Sequence, residues 1–292
     1  MMDVNYELYK VFYYVARTLS FSEASKQLYI SQSAVSQSIK VLEKKLEQTL
    51  FIRSTKKVQL TPEGEILFKH IEPAMNLIQR GETQLLETNS LNGGQLRIAA
   101  SDTICRYFLI PYLKQFHAMY PNVHIKVTNS TSLECAQLLE NRQVDFIITN
   151  YPNSGLSNAN TIRPLKTFHD VFVASTDYFP LKDQIIPLKE LQNYPIMMLE
   201  RKSATSEFLH AQFQKSHLDL VPAIELTSND LLIDLARIGL GIAFIPDFCI
   251  RPDEQDLFIL KLEETLPARQ LVLAYTETLP ISQAARQFIE IL

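Results

Sequence analysis

With 292 residues, 46% of them hydrophobic, and a net charge of −4, the chain is long enough for two or three domains with real cores and does not advertise nucleic-acid binding by overall charge. No stretch approaches the roughly 18 uninterrupted apolar residues of a membrane span, and the opening MMDVNYELYK has no apolar secretory core, so the expected location is the cytoplasm with no membrane partner. The three cysteines, Cys105, Cys135 and Cys249, form neither a CxxC nor a metal spacing with histidine; reduced, buried thiols and no bound metal are expected.

From Tyr6 to Leu19 the apolar residues Leu8, Phe12, Val15, Ala16 and Leu19 recur at helical spacing. Ser20-Phe21-Ser22 breaks the pattern, with Ser22 as the expected N-cap of a short helix over Glu23–Leu28. Tyr29-Ile30 turns the chain and Ser31 caps a third helix. That helix has two faces. Val35, Ile39, Leu42 and Leu46 form an apolar stripe, opposed by Gln32, Ser33, Ser36, Gln37, Lys40 and Lys44. The first half of the polar face is amide and hydroxyl without an acid; amides and hydroxyls suit base edges, and lysines suit phosphates. Three short helices with tight turns fit a helix-turn-helix.

Two short strands, Leu50–Arg53 and Val58–Leu60, are joined by Ser54-Thr55-Lys56-Lys57, a hairpin with a basic tip of the kind that forms the wing of a winged helix, although such tips are often only solvated turns. Residues 1–60 hold nine Lys and Arg against five Asp and Glu, a basic end on an acidic remainder. Thr61-Pro62-Glu63 then starts a long helix, expected to reach about Leu91. Its Leu67, Ile71, Ala74, Ile78, Gly81 and Leu85 make a heptad-like seam for a second copy of the chain, and Pro73 inside it should kink it. The alternative is two shorter helices packed on the head.

Asn92-Gly93-Gly94 marks a boundary, after which the period changes. Strands are expected over 96–100, 123–127, 144–149, 172–174, 196–199 and 242–245, with helices over 101–120, 131–141, 203–216 and 229–238. Such alternation implies parallel sheet with crossover helices.

The order of these elements, an α/β chain headed by an α-rich winged helix-turn-helix and a long linker helix, resembles the LysR-type transcriptional regulators. The resemblance rests on Ala24 to Leu28, Ser31-Gln32-Ser33-Ala34-Val35-Ser36, Ile39, Leu42-Glu43, Leu46, Leu50-Phe51, Arg53 and Leu60-Thr61-Pro62-Glu63-Gly64, and further on Val144 to Ile148 and Gly239 to Pro246. It implies a DNA-binding domain over 1–61, a linker and dimerisation helix over 62–92, and an effector-binding domain over 93–292. The last would consist of two α/β subdomains like those of periplasmic binding proteins, about 95–163 with 268–292 and about 164–267. The implied partners are an operator in double-stranded DNA, a small-molecule effector, RNA polymerase and further copies of the chain as homodimer or homotetramer; no cofactor is implied. The chain departs from the family where Ser33 replaces a usual proline, Gln37 a usual arginine and Glu47 a common glycine. Arginine favours guanine and glutamine adenine, so the bases read should differ.

The expected DNA contacts are Ser22, Ser31, Gln32, Ser33, Ser36 and Gln37, with Lys40, Arg53, Lys56 and Lys57 on phosphate. For the effector, ligands of open α/β sheets lie where strands end and helices begin. Ser101, Asp102 and Thr103, Ser130 and Thr131, Thr149 and Asn150, Ser203 and Thr205, and Ser228 occupy such junctions. Each hydroxyl taken singly is more often a helix cap than a ligand contact. Arg201 and Lys202 beside one junction would suit a small carboxylate or similar anion; the alternative reading is exposed turn residues with no role. No GxSxG, phosphate-binding glycine loop or HExxH is present, which speaks against an enzyme. Two alternatives stay open: a stand-alone small-molecule binding protein or enzyme, and a redox sensor using Cys105 and Cys135.

Overall fold

The side chain of Asn5 accepts the Glu7 N–H at 2.9 Å and opens α1 (Tyr6–Thr18), which buries Val11, Phe12, Val15 and Ala16. In the computed structural model, which describes residues 4–53, 57–87, 94–157, 161–251, 254–277 and 281–292, α2 (Phe21–Leu28) and α3 (Gln32–Leu46) follow. The cap of α2 is Ser20 rather than Ser22. The Ser20 hydroxyl accepts the Glu23 N–H, the three-residue reach that a capping serine needs. Ser22 therefore lies inside the first turn, exposed. Ser31 caps α3 by accepting the Ala34 N–H at 3.1 Å.

The strands β1 (Phe51–Arg53) and β2 (Val58–Leu60) pair antiparallel. The turn 54–56, with Lys56, lies outside the described residues. Two devices fix this hairpin to the helices. The Glu43 carboxylate accepts the Leu50 and Phe51 N–H groups at 2.9 and 3.3 Å, and the Phe12 and Phe51 rings meet at 5.5 Å in the core. The Thr61 hydroxyl accepts the Gly64 N–H at 3.0 Å and donates to the Thr49 carbonyl at 2.7 Å, starting α4 (Pro62–Glu87). A Cβ at Gly64 would lie 2.2 Å from the Leu50 carbonyl oxygen, so no side chain fits there. Helix α4 runs through Pro73 as one element, so the two-helix alternative is not found. Leu67, Phe68 and Ile71 pack into the head core; the first half of the expected seam is thus spent within the chain. Leu77, Ile78 and Leu85 remain exposed.

The chain divides after α4 into a second compact unit. Its first sheet has the order β4-β3-β5-β14-β6, from β3 (Gln95–Ala100), β4 (His124–Asn129), β5 (Phe146–Tyr151), β6 (Thr161–Phe168) and β14 (Arg269–Tyr275). Its second has the order β10-β9-β11-β7-β12, from β7 (Asp170–Ser175), β9 (Ile196–Leu199), β10 (Ile224–Leu226), β11 (Ile242–Pro246) and β12 (Leu257–Ile259). A small parallel pair joins β8 (Ile185–Ile186) to β13 (Lys261–Leu262). The helices are α5 (Asp102–Ile104), a π turn over Cys105–Leu109, α6 (Ile110–Met119), α7 (Ser132–Glu140), α8 (Ala204–Lys215), α9 (Asn229–Arg237) and α10 (Gln283–Ile291).

The expected parallel sheet is only part of each layer. β3, β4 and β5 are parallel, as are β9, β10 and β11, but β14 runs antiparallel to β5 and β6, and β7 antiparallel to β11 and β12. The reason is the path of the chain: it enters the second sheet through β7 and re-enters the first through β14, and these two incoming strands run against their neighbours, while β6 and β12 keep the direction of the parallel strands. All of β6 belongs to the first sheet, which moves the crossing to His169, beyond the division at 163/164. Asp145 pins β5 to β3 by accepting the Arg97 N–H at 2.8 Å, which explains the acid within the run Val144 to Ile148.

Candidate functional site

In the first unit, α3 is held by Val35, Ile39 and Leu42, each fully buried, and its last turn by the Glu43 bonds to the wing. That anchoring leaves Gln32, Ser33, Gln37, Lys40 and Lys44 exposed and Ser36 half-exposed. The Ser31 and Ser33 hydroxyls meet at 2.8 Å, so serine in place of proline at 33 adds a bond at the cap. Lys57 is exposed. Arg53 lies in β1. At 47 the backbone is left-handed, with φ of 54°, the conformation that explains the usual glycine and that glutamate adopts here under strain.

In the second unit, a cavity of about 430 Å³ lies at the C-terminal ends of the six parallel strands, three from each sheet. Ser101, Asp102, Thr103, Ser130, Thr131, Asn150, Ser203, Thr205 and Ser228 all line it; these were singled out in the sequence. Thr149 does not. It is 1% exposed, and its hydroxyl sits behind the wall, accepting from Asn153 Nδ2 at 2.9 Å. Inward-facing positions of a strand alternate, so Asn150 faces the cavity where Thr149 cannot. Arg201 lines a different surface hollow, and Lys202 is not on the cavity wall.

Four of the hydroxyls also cap helices, at 3.1 to 3.4 Å: Ser101 to Ile104 N–H, Thr131 to Glu134 N–H, Ser203 to Ser206 N–H and Ser228 to Leu231 N–H. The cap and wall readings are both true of them. Glu134, missed in the sequence, also lines the cavity. Its carboxylate accepts the Ser130 hydroxyl and, at 3.0 Å, the Thr131 N–H, completing a capping box. The Ser130 bond, then the Thr131 groups, hold this carboxyl below its ordinary 4.5.

Three contacts join the walls. Asn229 Nδ2 donates to Thr103 Oγ1 at 2.8 Å, the Tyr107 hydroxyl donates to Asp230 at 2.5 Å, and Arg106 Nε lies 3.2 Å from the same carboxylate. The π turn carries Arg106 and Tyr107. Burial first, then the Asp230 bond, raises the Tyr107 phenol, which stays a donor. Behind the cavity Arg269 Nη1 meets Asp170 at 2.8 Å and Thr205 Oγ1 at 3.2 Å. Nothing local announces these pairs, whose members are 64 to 126 positions apart.

The thiols are poor nucleophiles. Burial pushes Cys105 up to about 11 and Cys135 to about 12, the reverse of the shift a redox thiol needs. Among the described residues there is no cluster suited to a metal and no helix long and apolar enough to cross a membrane.

Residues 6–65 match the family described as bacterial regulatory helix-turn-helix protein, lysR family, and residues 89–292 match the LysR substrate binding domain. The HTH-type transcriptional regulator CysL of Bacillus subtilis is 26% identical across 98% of this chain and 96% of its own length. Among solved structures, full-length CbnR complexed with target DNA aligns at a TM-score of 0.67 and 16% identity, covering 99% of this chain and 98% of that one. The CcmR regulatory domain of Synechocystis in complex with 2-PG aligns at 0.62 and 22% identity, covering 68% of this chain and 94% of that one.

Proposed function

This chain belongs to the LysR family of transcriptional regulators, and we propose that it reads operator DNA through α3 and answers to a small molecule held at the cavity of its second unit. The observation that carries the first half is the exposed face of α3, with no acid from Ser31 to Lys40, on a helix whose other face is fully buried. Gln32, Ser33, Ser36 and Gln37 meet base edges in the major groove; Ser22, Ser31, Lys40, Arg53, Lys56 and Lys57 meet the backbone. CbnR, of the same fold, is a DNA-binding relative. Exposed Leu77, Ile78 and Leu85 on α4 support pairing with a second copy, which places two heads on one operator with half-site symmetry.

The effector half follows from the cavity's place between two sheets. A ligand that touches both walls favours one closure over another, and the change is passed to the paired heads, to DNA bending and to RNA polymerase. The named relatives are regulators, which supports a non-enzymatic role in the cytoplasm. Binding to duplex DNA should weaken with salt. Gln32→Ala with Gln37→Ala should erase sequence preference, while Lys56→Ala with Lys57→Ala should weaken all DNA alike. If neither pair alters DNA binding, the α3 assignment fails. Footprints that do not change with any ligand bound at the cavity would end the effector half.

A further inference from the structure

Tyr29 lies in the turn between α2 and α3, two residues before the Ser31 cap. It is 95% exposed, and its side chain has no hydrogen bond or ring contact among the described residues. The other tyrosines of the head are used within the chain. Tyr9 and Tyr14 pack on the core, Tyr13 is buried, and the Tyr6 ring lies 6.4 Å from that of Tyr9. The backbone at Tyr29 is left-handed, with φ of 55°. Its N–H closes α2 on the Lys26 carbonyl at 3.2 Å, at a cap position where glycine fits without strain and a Cβ does not. Leu19 and Glu47 close α1 and α3 in the same conformation, so the backbone alone does not single Tyr29 out; its uncovered ring does. The fold bears the strain of this Cβ and gains no packing from the ring.

The place of the turn on DNA follows from the motif. On a duplex, the N-terminal end of the second helix of a helix-turn-helix meets base edges in the major groove, while the first helix crosses the backbone. The turn between them therefore lies at the edge of the groove, where the phosphates are. Tyr29 and the Ser31 cap are within about 7 Å of each other, Cα to Cα. The surroundings suit a polyanion. No acid occurs from Ala24 to Leu42, and Glu23, just before that stretch, is paired with Lys26 at 3.5 Å. Tyrosine is among the side chains that bind DNA phosphates, since its O–H is a donor that an oxyanion accepts. We infer that Tyr29 is a DNA contact in its own right, its hydroxyl donating to a phosphate oxygen beside the bases read by Gln32 and its ring lying against the adjoining sugar. A neutral donor releases no counterion, so the contact adds affinity without adding salt dependence. This rests on the α3 reading above.

The test is binding of the full-length chain, followed by fluorescence anisotropy over a range of salt, to a duplex it has selected from a random pool and to an unselected duplex. Tyr29→Ala should weaken both by about tenfold, as for a lost hydrogen bond to a charged group, with the slope against salt unchanged. Tyr29→Phe, which keeps the ring, should weaken both by about threefold. Tyr29→Arg should restore the parent's affinity and steepen the slope by about one for each head bound. Tyr29→Gly separates a DNA contact from a structural role. It should bind as weakly as the alanine variant, while the urea midpoint of its first unit rises by about 0.4 M as the cap is relieved. A lowered midpoint overturns the inference, as do alanine and phenylalanine variants that bind like the parent. Weakening confined to the selected duplex also overturns it, because it places the ring on a base edge. If the Gln32 and Gln37 pair or the Lys56 and Lys57 pair alters binding and the Tyr29 variants do not, only Tyr29 is wrong. If the parent binds neither duplex, the α3 reading falls and Tyr29 with it.

Discussion

Arg269→Met should destabilise the second unit more than any surface change. Arg269 begins β14 and Asp170 begins β7, so their ion pair ties the two places where the chain passes between sheets. The pair is 2.8 Å long with side chains 2% and 0% exposed, and the guanidinium carbon lies 5.0 and 5.5 Å from the Phe208 and Phe168 ring centres. Methionine keeps the stem against those rings. What it removes is the countercharge, leaving Asp170 a buried carboxylate with no cation. Breaking a buried pair from one side costs about 3–5 kcal/mol. At roughly 2–4 °C per kcal/mol for a domain of this size, Tm should fall by about 12 °C. The chain has no tryptophan, so calorimetry, or near-ultraviolet dichroism of its tyrosines, is the suitable assay. Adding Asp170→Asn to Arg269→Met removes the orphaned charge and should recover at least half of the loss. A fall under about 3 °C for the single variant, or losses that simply add in the double one, would refute the reasoning.

Glu43→Ala should cost about 1.5–3 kcal/mol, because it orphans the Leu50 and Phe51 N–H groups that a charged acceptor now serves; chemical unfolding of the first unit reads it. Glu47→Gly should raise that unit's stability by about 0.5–1 kcal/mol by relieving the left-handed cap; a lower Tm would count against the strain. Gln37→Arg should move base preference at one operator position from adenine towards guanine by about 1–3 kcal/mol, measured by selection from random duplexes. The stability that Glu134 contributes is full above pH 4.5 and is lost as pH falls through its lowered folded value. The difference in Tm between the parent and Glu134→Gln should therefore shrink below pH 4.5.

Much of this protein was legible without coordinates where the deciding bonds are local. Caps reach three residues and helix faces repeat within four, so Ser31, Thr61 and the stripe Val35, Ile39, Leu42 announce α3 and α4 in the letters themselves. Hydroxyls at strand-to-helix junctions foretold most of the cavity wall for the same reason, since a junction is local. Even there one residue of register mattered: Thr149 turns inward to Asn153 while its neighbour Asn150 faces the cavity.

Tertiary structure alone decided the rest. The head core took Leu67 and Ile71 from the expected seam, because an apolar face goes to whichever partner lies nearest in space. The antiparallel strands β7 and β14 follow from the chain crossing between sheets and returning, which no local pattern encodes. The pairs that tie the second unit together around the cavity depend on partners far along the chain: Arg269 on Asp170, 99 positions away, Tyr107 on Asp230, 123 away, and Asn229 on Thr103, 126 away. Periodicity sets which face of an element is buried; only the closed chain sets what that face meets.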